Sequence, residues 1–369
     1  MAGVYIHIPF CKQACYYCDF HFSTNTDLKG AMTEAIVKEL GMQKDYLGGE
    51  EIRTVYFGGG TPSLLDKSEL TKILHTIKHN ADAEITLEAN PDDLTKQKLD
   101  ELRSIGINRL SIGIQSFQND ILSFFNRAHN AGDAVRSIND ARSAGFDNIS
   151  IDLIYGVPGQ PTDVWRSGIE EALTFKPEHI SAYSLTIEER TVFGKWKASN
   201  KLTPMNEETV AEQFEVLMDV LTKKGYDHYE ISNFSLPGFH SRHNSSYWSG
   251  AKYLGVGPSA HSYDGISRQS NIANNAQYVR SIGAGKIPYE REVLSREDKI
   301  NEFFMVGLRT SAGCDVGASG LHLSPQQLGY IEQLVTLGKA SFDDGILKLT
   351  NRGKLLADKI ASDLFVSSE

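Results

Sequence analysis

Short β-rich runs and helical patterns alternate six times between Gly3 and about Leu185, and no other feature limits the fold so tightly. The runs are Val4–Ile8, Thr54–Phe57, Glu84–Glu88, Arg109–Ile114, Asn148–Ile154 and His179–Leu185. Between them apolar residues recur at helical spacing, as Met32, Ile36 and Leu40 do, or Leu70, Ile73, Leu74 and Ile77. Leu99, Leu102 and Ile105 mark a third helix, which reads as capped at Asp92 and Asp93. Parallel neighbours need a crossover, and a helix supplies one while covering the sheet, so this rhythm predicts an α/β chain with a parallel sheet. A doubly wound sheet and a barrel fit the pattern equally.

Polar and glycine residues gather just after each run: Cys11–Cys18, Gly58–Thr61, Glu88–Asn90, Gln115–Ser116 and Asp152–Gly156. Ligands bind at the carboxyl ends of strands in both architectures, so these loops point to one site. The alternation weakens after Glu189. The expected organisation is a core over 1–235, an irregular segment over 236–285 packed on it, and a C-terminal domain over 286–369. In the last, helices at Ser295–Leu308 and Ser324–Leu337, a hairpin signal at Asp344-Gly345 and a helix over Asn351–Phe365 suggest a small winged-helix-like module.

A net charge of −10 argues against nucleic acid as a partner. No apolar run approaches the roughly 20 residues that span a bilayer, and no signal peptide precedes the first run. Three of the four cysteines crowd into one loop, which speaks for reduced thiols and a soluble, cytoplasmic protein.

That loop, Cys11-x-x-x-Cys15-x-x-Cys18, follows a strand closed by Pro9. Three thiolates can hold a four-iron cluster and leave one iron for another ligand, unless distant Cys314 reaches it. Zinc with His7 or His21 as a fourth ligand is an alternative, as are three unrelated thiols. Gly58-Gly59-Gly60-Thr61 permits positive φ and close backbone approach, suited to a zwitterion or merely to a tight turn. Glu88, Gln115, Arg127 and Asp152 stand at or after strand ends, where each alone would be a solvated loop residue or a cap. In His243-Asn244-x-x-Tyr247-Trp248 the histidine either packs with its aromatic neighbours or ligates a heme iron while the rings stack on the macrocycle.

The cysteine spacing at the end of a first strand resembles the signature of the radical S-adenosyl-L-methionine (SAM) superfamily. Further stretches resemble its oxygen-independent coproporphyrinogen III oxidase-like branch: Tyr5 to Cys11, Leu87 to Asp93, Ile114 to Phe117, Asn126 to His129 and Asp152 to Gly159. The resemblance implies a partial (β/α)6 TIM-like barrel with a 4Fe-4S cluster on Cys11, Cys15 and Cys18, its fourth iron chelated by SAM. It assigns SAM contacts to Tyr5, Gly59, Gly60, Thr61, Glu88, Gln115, Arg127 and Asp152, and places Tyr17 near the adenine. The run at His243 resembles the signature of heme chaperones in the same branch, which implies heme as cargo, His243 in its binding, and heme-acceptor proteins such as respiratory enzymes as partners. Peripheral membrane contact and a homodimer stay open. Phe20 stands where the oxidases carry a fourth cysteine, and the first strand begins at Gly3 without their N-terminal extension. Both departures favour the chaperone over a radical SAM enzyme that decarboxylates a porphyrin-type substrate or degrades heme.

Overall fold

The computed structural model describes residues 2–366. Six parallel strands follow the runs read from sequence: β1 (Ala2–Ile8), β2 (Ile52–Gly59), β3 (His79–Ala89), β4 (Arg109–Gln115), β5 (Ile149–Tyr155) and β6 (His179–Ser184). They lie side by side in chain order. A doubly wound sheet reverses its strand order at a switch point. No reversal occurs from β1 to β6, so this is the succession of a barrel wall, and the wall stays open.

The chain divides into two compact units. The first holds residues up to Gln213 together with Ser241–Glu292, and the second holds Phe214–His240 with the residues from Val293 on. This differs from boundaries at 235 and 285. The hairpin of β7 (Asp227–Glu230) and β8 (Asn233–Ser235) groups with C-terminal residues because its polar groups are used there. Ile231 N–H donates to Arg309 O over 2.9 Å, and Ser311 N–H to Tyr229 O over 3.0 Å. Arg309 also pairs with the buried Glu230 at 3.1 Å.

In the first unit, the segment expected to be irregular is ordered. Ser241 caps a helix, Arg242–Trp248, and three strands follow: β9 (Tyr253–Val256), β10 (His261–Tyr263) and β11 (Ser267–Asn271). β9 pairs in parallel with the outer side of β1. It is only 4 residues long and sits inside a glycine- and serine-rich stretch, which hides it, and its one glycine is there for contact: a Cβ on Gly255 would stand 2.0 Å from His261 O. Helix Asn275–Gly283 completes the segment.

The outward strand residues are apolar and lie under the helices, as with Val4, Ile6, Val55, Phe57, Leu87, Leu110, Ile112, Ile151 and Ile180, all buried. The inward ones are polar or aromatic, and along β4 these are Arg109, Ser111, Gly113 and Gln115. The third helix begins later than expected. Thr95, not Asp92 or Asp93, accepts from Lys98 N–H and caps Lys96–Ser104, while Pro91–Asp93 forms a 3₁₀ turn.

The second unit has helices Arg296–Gly307, Pro325–Thr336 and Ala357–Asp363 around a small antiparallel sheet of β12 (Cys314–Asp315), β13 (Ala340–Asp343) and β14 (Ile346–Leu349). Asp344 and Gly345 turn the hairpin at φ 52° and 80°, the doubly positive geometry that Asp-Gly favours. The last expected helix breaks into Asn351–Lys354 and Ala357–Asp363. Cys314 is wholly buried in this core beside Phe304, Ile331 and Leu347, its Sγ 3.4 Å from Phe303 O, so it serves packing there.

One buried carboxylate ties helix Lys29–Met42 to the segment after His240. Glu39 accepts from Gly257 N–H at 2.8 Å, Asn271 Nδ2 at 2.7 Å, Gln43 Nε2 at 3.0 Å and the Tyr278 hydroxyl. Replacing Glu39 by Ala takes the acceptor from Gly257 N–H, Gln43 Nε2 and the Tyr278 hydroxyl, each costing about 1–3 kcal/mol, while Asn271 Nδ2 keeps Gly257 O at 3.0 Å. A loss of at least about 3 kcal/mol is expected in chemical denaturation, seen as a lower midpoint.

Candidate functional site

The cysteine loop leaves β1 at Ile8 and is held at several points. Cys11 N–H donates to Ser23 O over 3.0 Å, Tyr16 N–H to Phe125 O over 3.1 Å, and Asn126 Nδ2 to Ala14 O over 2.8 Å. Lys12 pairs with Asp92 at 2.8 Å and with Asp93, so these two acids anchor the loop.

Cys11, Cys15 and Cys18 are all partly buried. Thr61 Oγ1 donates to Cys11 Sγ over 3.4 Å, Arg127 Nη1 donates to Cys15 Sγ over 3.4 Å, and the Phe20 amide serves Cys18. Burial pushes the Cys11 thiol up to about 11 and Cys18 up to about 12. As free groups both keep their protons at neutral pH, and a bound metal would supply the missing positive charge. Among the described residues no three His, Cys, Asp or Glu side chains converge where one metal ion would sit. A cluster would give each thiolate its own iron. The zinc alternative also lacks its histidine. His7 uses Nε2 on His21 O at 2.9 Å and Nδ1 on the Tyr5 hydroxyl at 3.2 Å, and His21 Nε2 meets Asn275 Oδ1 at 2.8 Å.

Arg127 gathers the neighbouring loops. Besides Cys15 it reaches the Tyr17 hydroxyl at 3.3 Å, Asn90 Oδ1 at 2.6 Å and Gly113 O at 2.8 Å, while its buried Nε has no partner. Asn90 also donates to Thr61 Oγ1 over 3.2 Å, linking the loops after β2 and β3. Gln115, at φ 63°, folds its amide back over Gly113 beside Arg127. The Tyr17 ring meets Phe125 edge-on at 5.1 Å. Tyr16 packs on Phe193 and Trp196, which follow β6.

The glycine run is a close approach and not only a turn. Gly59 has φ 106°, and a Cβ there would lie 2.6 Å from the His7 ring; one on Gly60 would lie 2.7 Å from Phe10 O. Gly59 N–H donates to Glu88 Oε2 over 3.2 Å, and the Tyr56 hydroxyl donates to Glu88 Oε1 over 2.8 Å. Burial lifts Glu88 to about 7 despite these donors, with Asp152 adding to the rise. Asp152 is also raised by burial, and accepts from Ser111 Oγ at 3.1 and 3.2 Å.

The structure thus brings Cys11, Cys15, Cys18, Tyr17, Gly59, Gly60, Thr61, Glu88, Gln115 and Arg127 to one end of the strands, with Asp152 just inside. Tyr5 lies a layer deeper, its ring stacked with Tyr56 at 6.1 Å. Asn90, Tyr56 and Ser111 escaped sequence reasoning. Asn90, at a strand end before Pro91, carried the only usable signal.

His243 is not part of this assembly. It lies at the amino ends of β1–β3, against Gly3, Thr54 and Glu84, whereas the cysteines follow the carboxyl end. Five strand residues from Gly3 to Ile8 separate the ends by roughly 17 Å. The ring is 1 % exposed and stacks on Tyr56 at 4.9 Å. Nδ1 is 2.8 Å from Thr54 Oγ1 and Nε2 2.8 Å from the Tyr247 hydroxyl. Both Glu84 oxygens accept from the first helical N–H groups, of Arg242 and His243, at 3.0 Å. In this conformation the packing reading of the motif holds, and no ring nitrogen is free for iron.

Residues 5–167 match the radical SAM superfamily. Over its whole length the fold is similar to that of coproporphyrinogen III oxidase (HemN) from Escherichia coli, described as a radical SAM enzyme, with TM-score 0.84, 24 % identity, and coverage of 99 % of this chain and 90 % of that one. Fold and cysteine loop together define a radical SAM protein. The heme chaperone HemW of Bacillus subtilis is 35 % identical over 98 % of both chains, and that of Lactococcus lactis is 38 % identical over 84 % of this chain and 82 % of its own. The chain belongs to the HemW family.

Two outcomes are expected here. Thr61→Val removes a hydroxyl donor from Cys11 Sγ, so a reconstituted cluster should show a more negative midpoint in redox titration, since hydrogen bonds to sulfur favour the reduced form. His243→Ala should cost about 3 kcal/mol by leaving a cavity and two unpaired hydroxyls. Burial lowers His243 from 6.5 to about 3, so between these values the unfolded state binds a proton that the folded state refuses. That contribution is complete above pH 6.5 and is lost as pH falls toward 3. Thermal melts should therefore show a shallower decline from pH 7 to pH 5 in the variant than in the wild type.

Proposed function

We propose that this protein is a heme chaperone that binds heme, carries a SAM-liganded 4Fe-4S cluster and delivers heme to acceptor proteins. The heme half rests on one observation, the likeness to the B. subtilis heme chaperone over 98 % of both chains. The cluster half rests on the loop geometry. Cys11, Cys15 and Cys18 would hold three irons and leave the fourth for SAM, which would bring the capacity for one-electron chemistry. Gly59 and Gly60 would lie against its methionine part, Glu88 would take the ammonium, Arg127 the carboxylate, and Asp152 the ribose hydroxyls. Gln115 and Tyr17 would close the pocket, with Tyr5 as its floor. Among the described residues no helix is long and apolar enough to cross a membrane, so docking near membrane-bound acceptors would be peripheral.

Heme could take His243 Nε2 only by displacing the Tyr247 hydroxyl that meets it at 2.8 Å. Capture on this motif therefore calls for helix Arg242–Trp248 to loosen from the amino ends of the strands. Removing the competing hydroxyl and removing the ligand should then act in opposite directions.

The test is heme titration of anaerobically reconstituted protein by absorbance, with deoxyadenosine measured on the same samples. Tyr247→Phe is expected to tighten heme binding and His243→Ala to weaken it at least about tenfold, about 1.4 kcal/mol, with no stoichiometric deoxyadenosine. Failure of the wild type to take up heme would overturn the reading. Equal weakening by both variants would return His243 to packing alone. Stoichiometric deoxyadenosine with porphyrinogen decarboxylation would establish a radical SAM enzyme of the oxidase kind instead.

A further inference from the structure

We propose that Arg109 is a positioning residue of the cofactor pocket: its buried guanidinium is the fixed countercharge of Glu88 and Asp152, and so sets how strongly the interior takes up a cationic nucleoside. The inference rests on the SAM reading above and deepens it.

Arg109 is 2 % exposed and among the largest fully buried side chains. Its Nε has no hydrogen-bond partner. A buried cation is retained only when charge or polarity around it compensates the lost water. Strand register shows where the compensation lies. Thr86 pairs with Arg109 and Glu88 with Ser111 across β3 and β4. Arg109 and Ser111 share the inward face of β4, and Ser111 Oγ donates to Asp152. Arg109 thus lies one inward step below Glu88, and, because Ser111 also pairs with Ser150, two inward steps below Asp152. Their hydrogen bonds come from elsewhere, from Tyr56 and Gly59 for Glu88 and from Ser111, Ser181 and Ser150 for Asp152, so Arg109 acts on them through space. The Thr86 hydroxyl, in the same layer, is also buried without a partner.

Other groups act on Glu88 or feel its charge. Tyr56 and Tyr5 face it from β2 and β1, Asp152 from β5, Tyr247 from below and Cys11 from above. Asp152 raises Glu88, the Tyr56 hydroxyl bond and the Gly59 amide lower it, and Arg109 is the cation that lowers it. A SAM molecule offers an ammonium and a sulfonium to this acid pair. Without Arg109, two crowded buried acids would take up protons and lose their pull on those cations.

The experiment measures SAM affinity against pH by equilibrium dialysis, on holoprotein with reconstituted cluster. Wild-type affinity should weaken as pH falls through about 7, where Glu88 protonates. In Arg109→Gln this acidic limb should move upward, giving about tenfold weaker binding at pH 7 and near-equal binding at high pH, as one unit of pKa corresponds to a tenfold change. Arg109→Lys should restore the limb, and Thr86→Val, which removes only an unpartnered hydroxyl, should leave it unmoved. A uniform loss at every pH, or an unmoved limb, overturns the role of Arg109 while leaving the SAM reading intact. A wild type that takes up no SAM at any pH overturns both. Should Arg109→Gln fail to fold, the double variant R109Q/E88Q decides, since removing both opposite charges leaves less buried charge uncompensated. It is expected to melt well above R109Q alone, and an equally unstable double variant overturns the pairing.

Discussion

Everything at the carboxyl ends of the strands depends on one guanidinium. Arg127 touches a cysteine sulfur, a tyrosine hydroxyl, an asparagine amide and a backbone carbonyl, contributed by the loops that follow β1 and β3 and by β4 itself. A planar fork with five donors can serve several acceptors in fixed directions, which a lysine could not. The loops are irregular and would otherwise have no common register. Around this one cation the sulfur loop acquires a defined position over Glu88 and Gly59.

The interior below that point runs against the usual expectation for a sheet. Apolar side chains lie outside, under the helices, and the inward face carries Glu84, Glu88, Arg109, Ser111 and Asp152. Such groups are costly to bury, and most are compensated in pairs or by hydrogen bonds. Glu84 caps the inserted helix, Glu88 holds Tyr56 and Gly59, and Asp152 takes several serines. Helix Arg242–Trp248 closes the amino end with His243 and Tyr247. The column from the cysteines to His243 is therefore continuous, with the Tyr56 ring stacked on His243 below and its hydroxyl on Glu88 above.

Much of this is legible in the chain's local patterns. The six strand runs lie within a few residues of β1–β6, because alternating apolar patterns and turn residues are local signals. The cysteine spacing is local too, and so is the Asp344-Gly345 hairpin. What escapes depends on partners remote in sequence. β9, only 4 residues long, is too short to announce itself and exists because β1 offers it an edge. Asp92 and Asp93 look like helix caps, yet Lys12 lies 80 residues earlier and takes them as anchors. Residues 214–235 read as a continuation of the core, but the partners of Tyr229, Glu230 and Ile231 come from around Arg309.

By itself the sequence determined a parallel α/β chain with a thiol loop at a strand end and a ring of polar residues beyond its neighbours. Only tertiary structure decided that the strands keep their order as an open barrel wall, since strand sequence is nearly the same in either topology. It also decided the fate of two of the three histidines that could have bound metal in place of their neighbours. His7 and His243 are buried with both ring nitrogens engaged, and the acceptors and donors that engage them come from elements no local pattern could pair. The thiols kept their assignment for the opposite reason: three sulfurs within eight residues stay together in any fold that makes their loop.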